Sequence, residues 1–365
     1  MKQAQPFRPF FLLAALSALL LLAAWVAALA GLWRPAGVPA FWHARELIFG
    51  FMGAVLAGFF GTAAPKWTGS PPLTGLALVA MLLAWLPGRL GGPELLPFAL
   101  AGWTGWMVVR ASSWRNLLFV VLLTGLGLCG IWLQLDIEAG SRALATALHL
   151  LLAIVVVFGG RVTPMFTGSA LKRAGQPFEP RARSRLDDLV IALTLAAVLA
   201  VATLDPGPLL AGALGLAGLA NLGRMWGWGG SKSLGDPMLW SLHLGYAWIG
   251  FGLLIEAAAA LGWLPASAAL HAVSIGALSA TMYTMLTRVA LGHTGRPLRA
   301  HAAITVGYMA ISLAALVRIF LPLAWPEGIV TSWHIAGGLW MGAFGLYLVV
   351  YLPILLKPRV DGAPG

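Results

Sequence analysis

The sequence predicts an all-α protein threaded repeatedly through a lipid bilayer, and three observations predict it. Sixty per cent of the 365 residues are hydrophobic and only 10% are charged, whereas a soluble domain carries roughly a quarter charged residues to keep its surface wet. The apolar residues fall in long runs bounded by Pro, Gly or charge. An α-helix needs such runs to cross about 30 Å of hydrocarbon with its backbone polar groups satisfied. Finally, Lys and Arg gather in the short segments between runs and are shared unequally between alternate ones, the pattern that orients helices in a membrane.

Twelve runs read as spans, at 10–32, 46–64, 73–88, 94–111, 116–135, 143–160, 187–204, 207–226, 237–260, 265–287, 302–322 and 329–356. The first ends in Ala28-Leu29-Ala30 behind Lys2 and Arg8, which resembles a signal-peptidase site. A signal core is roughly 7–15 residues, so the length of this run points to an uncleaved span. The runs at 73–88 and 94–111 are short and separated only by the segment from Pro87-Gly88 to Pro93, so a re-entrant pair is the alternative there. With both termini in the cytoplasm, 18 of the 23 Lys and Arg fall inside. Six of them, Arg161, Lys172, Arg173, Arg181, Arg183 and Arg185, precede the seventh span.

The net charge of +11 is dispersed among these loops. Nucleic-acid binding needs a basic face or arm, so the charge is assigned to the lipid interface instead. Cys129 is the only cysteine and lies inside an apolar run. That excludes an internal disulfide, a Cys-rich zinc site and an iron–sulfur cluster, and leaves His, Met or oxygen for any metal.

The chain reads as a single membrane domain, 1–365, with internal similarity. Phe7-Arg8-Pro9 and Trp114-Arg115-Asn116 are each followed at nearly equal spacing by a histidine, His43 and His149. Each histidine run leads into a Thr-Gly turn ending in Leu: Thr68-Gly69 to Leu73, Thr167-Gly168 to Leu171, and after His271, Thr294-Gly295 to Leu298. Three units of four spans follow, 1–112, 113–235 and 236–365.

Under this orientation His43, His149, His271 and His334 each lie in or just before the outer third of a span running inwards. Any one of them is as readily a helix histidine satisfied by a neighbouring carbonyl. Their shared placement favours a cofactor, because ionisable groups in a bilayer mark pathways or ligands and imidazole suits haem iron or copper. At least two of the four are expected on one cofactor. Glu46 shares a helix face with His43 at i, i+3 spacing and is expected to orient its ring. Arg45 and Arg318 are candidate partners for haem propionates, with snorkelling to headgroups as the plainer role. His243 is too far inward to join the outer set and marks a possible second metal site. His293 and His301 read as solvated loop residues. Gly125-Leu126-Gly127-Leu128-Cys129-Gly130 matches a dinucleotide fingerprint by letter, but no strand precedes it. These glycines, like Gly212, Gly215 and Gly218, are expected to serve close helix packing.

Four motifs, Phe7-Arg8-Pro9-Phe10-Phe11, Trp42-His43-Ala44, Gly160-Arg161-Val162-Thr163-Pro164-Met165-Phe166-Thr167 and the long run from Thr287-Arg288 to Pro297-Leu298, resemble the NnrS family over nearly the whole chain. The resemblance implies a haem- and copper-containing protein of a bacterial inner membrane. It also implies a link to nitric oxide, expression with denitrification genes and protection under nitrosative stress. The positions matching family motifs are His43, Glu46, Arg161, His271, Arg288, His293 and Arg296, with His243 in a less distinctive segment. The family commonly carries a second histidine where this chain has Arg45, so a ligand at that position, if the family uses one, is missing here.

Two other classes stay open, and no catalytic motif decides between them. A redox enzyme analogous to the haem–copper oxidases would share the twelve-helix plan, but no two histidines adjoin in this sequence. A secondary transporter would share the span number and the basic central loop, but the segment after the second run, Pro65-Lys66-Trp67-Thr68-Gly69, lacks the signature of the major facilitator group.

Overall fold

The computed structural model describes residues 5–136, 140–176 and 178–362; Lys2 of the charged start lies outside them. Among the described residues the secondary structure is helical, without strands. In chain order the long helices are α1 (Phe7–Leu29), α2 (Pro39–Thr68), α3 (Gly75–Arg89), α4 (Leu95–Arg110), α5 (Leu117–Leu135) and α6 (Gly140–Arg173). They continue with α7 (Arg185–Thr203), α8 (Pro208–Arg224), α9 (Pro237–Ala260), α10 (Ala266–His293), α11 (Ala302–Ala324) and α12 (Ile329–Leu356).

Among the described residues nine of these helices are long and apolar enough to cross a membrane. The helices α3, α4 and α8 have 15, 16 and 17 residues, or roughly 23–26 Å at the α-helical rise, somewhat less than the hydrocarbon thickness. Helix starts follow local chemistry. Ser184 and Asp187 form a reciprocal capping box on α7, and the Asp236 side chain accepts from Met238 N at 2.9 Å ahead of Pro237 on α9.

Three features depart from the sequence reading. The sixth run was expected to end at Gly160, yet α6 continues through Pro164 to Arg173 and reaches 34 residues. The second Thr-Gly pair is not a turn: Gly168 lies inside α6, where a Cβ would stand 2.7 Å from Pro180, so its glycine serves close packing. Gly69 and Gly295 do take left-handed conformations just past helix ends, at φ 63° and 72°, as a glycine after a helix terminus should. Lastly, α2 and α10 are interrupted by π-helical segments, Glu46–Met52 and Ala272–Ser279. Each begins within three residues after a histidine, His43 or His271.

The helices form two compact units, one of Met1–Leu150, Leu286–Leu298 and Phe344–Gly365, the other of Leu151–Met285 and Arg299–Ala343. In the first, α1 lies on α2, with Phe10 and Phe11 over Gly58 and the Phe7 amide donating to Thr62 Oγ1 at 3.2 Å. In the second, α8 and α9 cross where a Cβ on Gly218 would lie 2.9 Å from the Gly250 carbonyl, and the reverse. Gly218 therefore has the packing role expected of it. Gly212 does not, since nothing lies within 4 Å of its Cβ position.

Candidate functional site

In the second unit, three expected site residues occupy one end of packed helices. His271 lies five residues into α10 and His334 five residues into α12, whereas Arg318 lies six before the end of α11. At the α-helical rise all three sit roughly 7–9 Å inside their helix ends. The first segment of α10 packs against α11, and Arg318 is within electrostatic reach of His271. The Arg318 guanidinium stands 5.8 Å from the ring centroid of Trp333, the neighbour of His334.

The imidazoles share one local arrangement. His271 Nδ1 lies 2.6 Å from Ser267 O, His334 Nδ1 2.9 Å from Val330 O, and His149 Nδ1 2.8 Å from Ala145 O. A carbonyl oxygen can only accept, so each Nδ1 carries the proton and donates one turn back along its helix. That selects the tautomer whose Nε2 bears the lone pair, which is the ligating form of neutral imidazole. His271 is half-buried, His334 exposed and His149 buried.

The first unit holds His43 and His149. The His43 ring stacks on Trp25, with centroids 4.5 Å apart and planes 19° from parallel. Beside it lies an alternating cluster of charge. Glu46 Oε2 accepts from Arg89 at 2.5 Å, Arg89 also donates to both Glu94 oxygens at 2.7 and 2.8 Å, and Arg45 Nε donates to Glu94 at 2.8 Å. Arg45 further donates to Gly92 O at 2.7 Å. Glu46 is thus held by Arg89 and Arg45 by Glu94. Neither Arg89 nor Glu94 was singled out from the sequence, and nothing local signals them, because they meet Glu46 and Arg45 across more than forty residues of chain.

His243, in the second unit, is buried. Its Nε2 lies 3.0 Å from Thr167 Oγ1, and its ring sits 6.4 Å from that of Trp228. His293 is not the solvated loop residue expected. It ends α10, is half-buried and packs on Phe7 at 5.5 Å between centroids, and Arg359 donates to its carbonyl at 2.9 Å. Arg8 donates to Leu355 O and Lys357 O at 2.7 and 2.6 Å, so the N-terminal motif, the Gly292-His293-Thr294 turn and the end of α12 meet within the first unit. Asp361 pairs with Arg359 and pushes its already high pKa up, which keeps this clasp charged. His301 is exposed and caps α11, accepting from Ala303 N at 3.2 Å.

Among the described residues no group of three or more His, Cys, Asp or Glu side chains is placed to hold a metal ion. A haem iron takes as few as one protein ligand, so a single imidazole would suffice for it without such a group.

The comparison with protein families matches the chain, over residues 3–359, to the one described as NnrS protein. No curated protein matches it.

Proposed function

From the premise that the chain belongs to the NnrS family, we propose that it is a haem protein of a bacterial inner membrane that binds nitric oxide and protects the cell under nitrosative stress. What supports this reading is the family match over residues 3–359; the carbonyl one turn back at His149, His271 and His334, which would equally satisfy an ordinary helix histidine, sets a tautomer able to ligate. Such an anchor orients the ring and leaves Nε2 as the nitrogen that carries the lone pair. His271 is the leading ligand, with His334 the second candidate in the same unit and Arg318 the cation for a propionate. His43 and His149 are the candidates in the first unit, and His243 marks a separate inward position. A ferrous haem held by one imidazole would offer NO an open axial position. No step is assigned to copper.

The same reading counts α3, α4 and α8 as spans, giving twelve in three groups of four with both termini inside. The clasp of Phe7, Arg8, His293 and Arg359 supports it, because these residues come from three segments that charge asymmetry assigns to one side.

Protein purified from haem-replete cells should show a Soret band. His271→Ala should abolish it or convert a low-spin spectrum to high-spin, whereas His293→Ala should retain it. Colourless, iron-free wild-type protein would overturn the proposal, as would a spectrum indifferent to alanine at His43, His149, His271 and His334 in turn.

A further inference from the structure

A second polar site lies in the second unit, far along α6 from its start. Arg161 stands 21 residues beyond Gly140, or roughly 32 Å at the α-helical rise, about the thickness of the hydrocarbon core. If α6 enters the bilayer near Gly140, Arg161 sits at headgroup level on the opposite side. There a cavity of about 250 Å³ is lined by Arg161, Arg181, Arg183, Arg224, Asp187 and Trp228, among others.

The floor of this cavity is built and electrically closed. Arg224, 2% exposed, donates Nε to Asp187 Oδ1 at 2.8 Å and Nη1 to Val156 O and to Tyr246 Oη, each at 3.0 Å. Tyr246 in turn donates its hydroxyl to Asn221 Oδ1 at 2.8 Å. Gly160 makes room for the guanidinium, since a Cβ there would collide with it. The wall is fastened down as well. The Arg181 amide donates to Gly227 O at 3.0 Å, Pro180 packs on Gly168, and the Arg181 side chain reaches Ser184, Trp226 O and Asp187. Arg183 pairs with Asp188 on the exposed rim.

Four arginines and one carboxylate, Asp187, thus line the cavity, with Asp188 paired to Arg183 at its rim. The volume equals about eight waters at roughly 30 Å³ each, enough for a tetrahedral dianion. Arginine's planar fork matches phosphate oxygens two at a time. Basic pockets between helices at this depth also meet phospholipid headgroups. We propose that this cavity binds a phosphate group, with Arg161 and Arg181 as its principal donors and the Arg224–Asp187 pair as its fixed base. The proposal is independent of haem.

The test uses full-length protein in two arms. In detergent, inorganic phosphate is titrated against chloride at matched ionic strength while thermal unfolding is followed. In nanodiscs, phosphatidylglycerol is titrated against phosphatidylcholine while lipid retention is read by native mass spectrometry. Saturable binding in either arm is expected. It should weaken about tenfold in Arg161→Gln and be restored only in part in Arg161→Lys, which returns the charge but not the planar fork. A response to inorganic phosphate alone identifies a soluble source, and one to phosphatidylglycerol alone a lipid headgroup. Should Arg161→Gln fail to fold, Arg183→Gln on the exposed rim takes its place, with a loss of about threefold expected from a partly screened charge. No saturable binding in either arm, or binding unchanged in the folded variants, overturns the proposal.

Discussion

A charge out of water survives only with a partner, so the effect of removing one depends on what is left behind. Arg89 stands between Glu46 and Glu94, and all three side chains are at most 8% exposed. Arg89→Gln would leave Glu46 without its cation and Glu94 with Arg45 alone, and a broken buried pair of this kind destabilises by about 3–5 kcal/mol. Thermal unfolding in detergent should show a large drop in Tm. Arg45→Ala should be far milder, within about 1 kcal/mol, because Glu94 keeps Arg89 and Gly92 O keeps Gln134. Equal losses in the two variants would refute this account of the cluster. The sequence made His43, Arg45 and Glu46 visible because they are consecutive and polar at the edge of an apolar run. The ion-pair partners of Arg45 and Glu46 were not visible, since Glu94 and Arg89 flank what reads as an ordinary Pro-Gly turn. The three carbonyl-anchored histidines were legible as residues, but their tautomers required coordinates.

At the scale of elements, the period of small residues is a weaker guide than contact. Gly125, Gly127 and Gly130 were read from spacing as packing glycines. A Cβ on Gly127 would stand 2.6 Å from Phe98 and one on Gly130 2.9 Å from Glu94, both on or beside α4, while Gly125 meets Leu150 of α6 at 3.3 Å. The crossing of α8 and α9 makes the sharpest test, because at Gly218 and Gly250 each backbone carbonyl occupies the other's Cβ space. A backbone atom cannot swing aside. Gly250→Leu should force the helices apart and destabilise by about 1–3 kcal/mol or more. Gly212→Ala, facing open space, should be neutral or gain up to about 1 kcal/mol of helix propensity. Parallel unfolding curves for the two variants would show that the crossing carries no close packing. Helix existence was plain from hydropathy almost everywhere. The π segments after His43 and His271 were not, since one extra residue per turn leaves no mark on composition. The extension of α6 past Gly160 was hidden for a related reason. Gly, Arg and Pro read as an ending, whereas the polar last third of a 34-residue helix needs only water or a headgroup, not hydrocarbon.

For the whole molecule the governing asymmetry is that of positive charge, and it predicts which surfaces face which side of the membrane. Cys129 is the sole cysteine and is 5% exposed, in a span. A charged thiol reagent should therefore leave the wild-type chain unlabelled and let single cysteines report topology against a silent background. Arg34→Cys lies in the exposed segment between α1 and α2, and Trp263→Cys, at a residue 75% exposed, between α9 and α10. Both should be labelled in cells whose inner membrane is intact. Lys172→Cys, exposed in the last turn of α6, should be labelled only after permeabilisation, because it belongs to the segment with six basic residues that is hardest to translocate. The outcome bears on both proposed sites, which the proposed topology would put on opposite sides: His271, His334 and Arg318 towards the outer face, Arg161 and Arg181 towards the inner. Labelling of Lys172→Cys from outside would invert the assignment. It would leave the geometry within each unit intact but place the phosphate pocket outside and the candidate haem ligands inside.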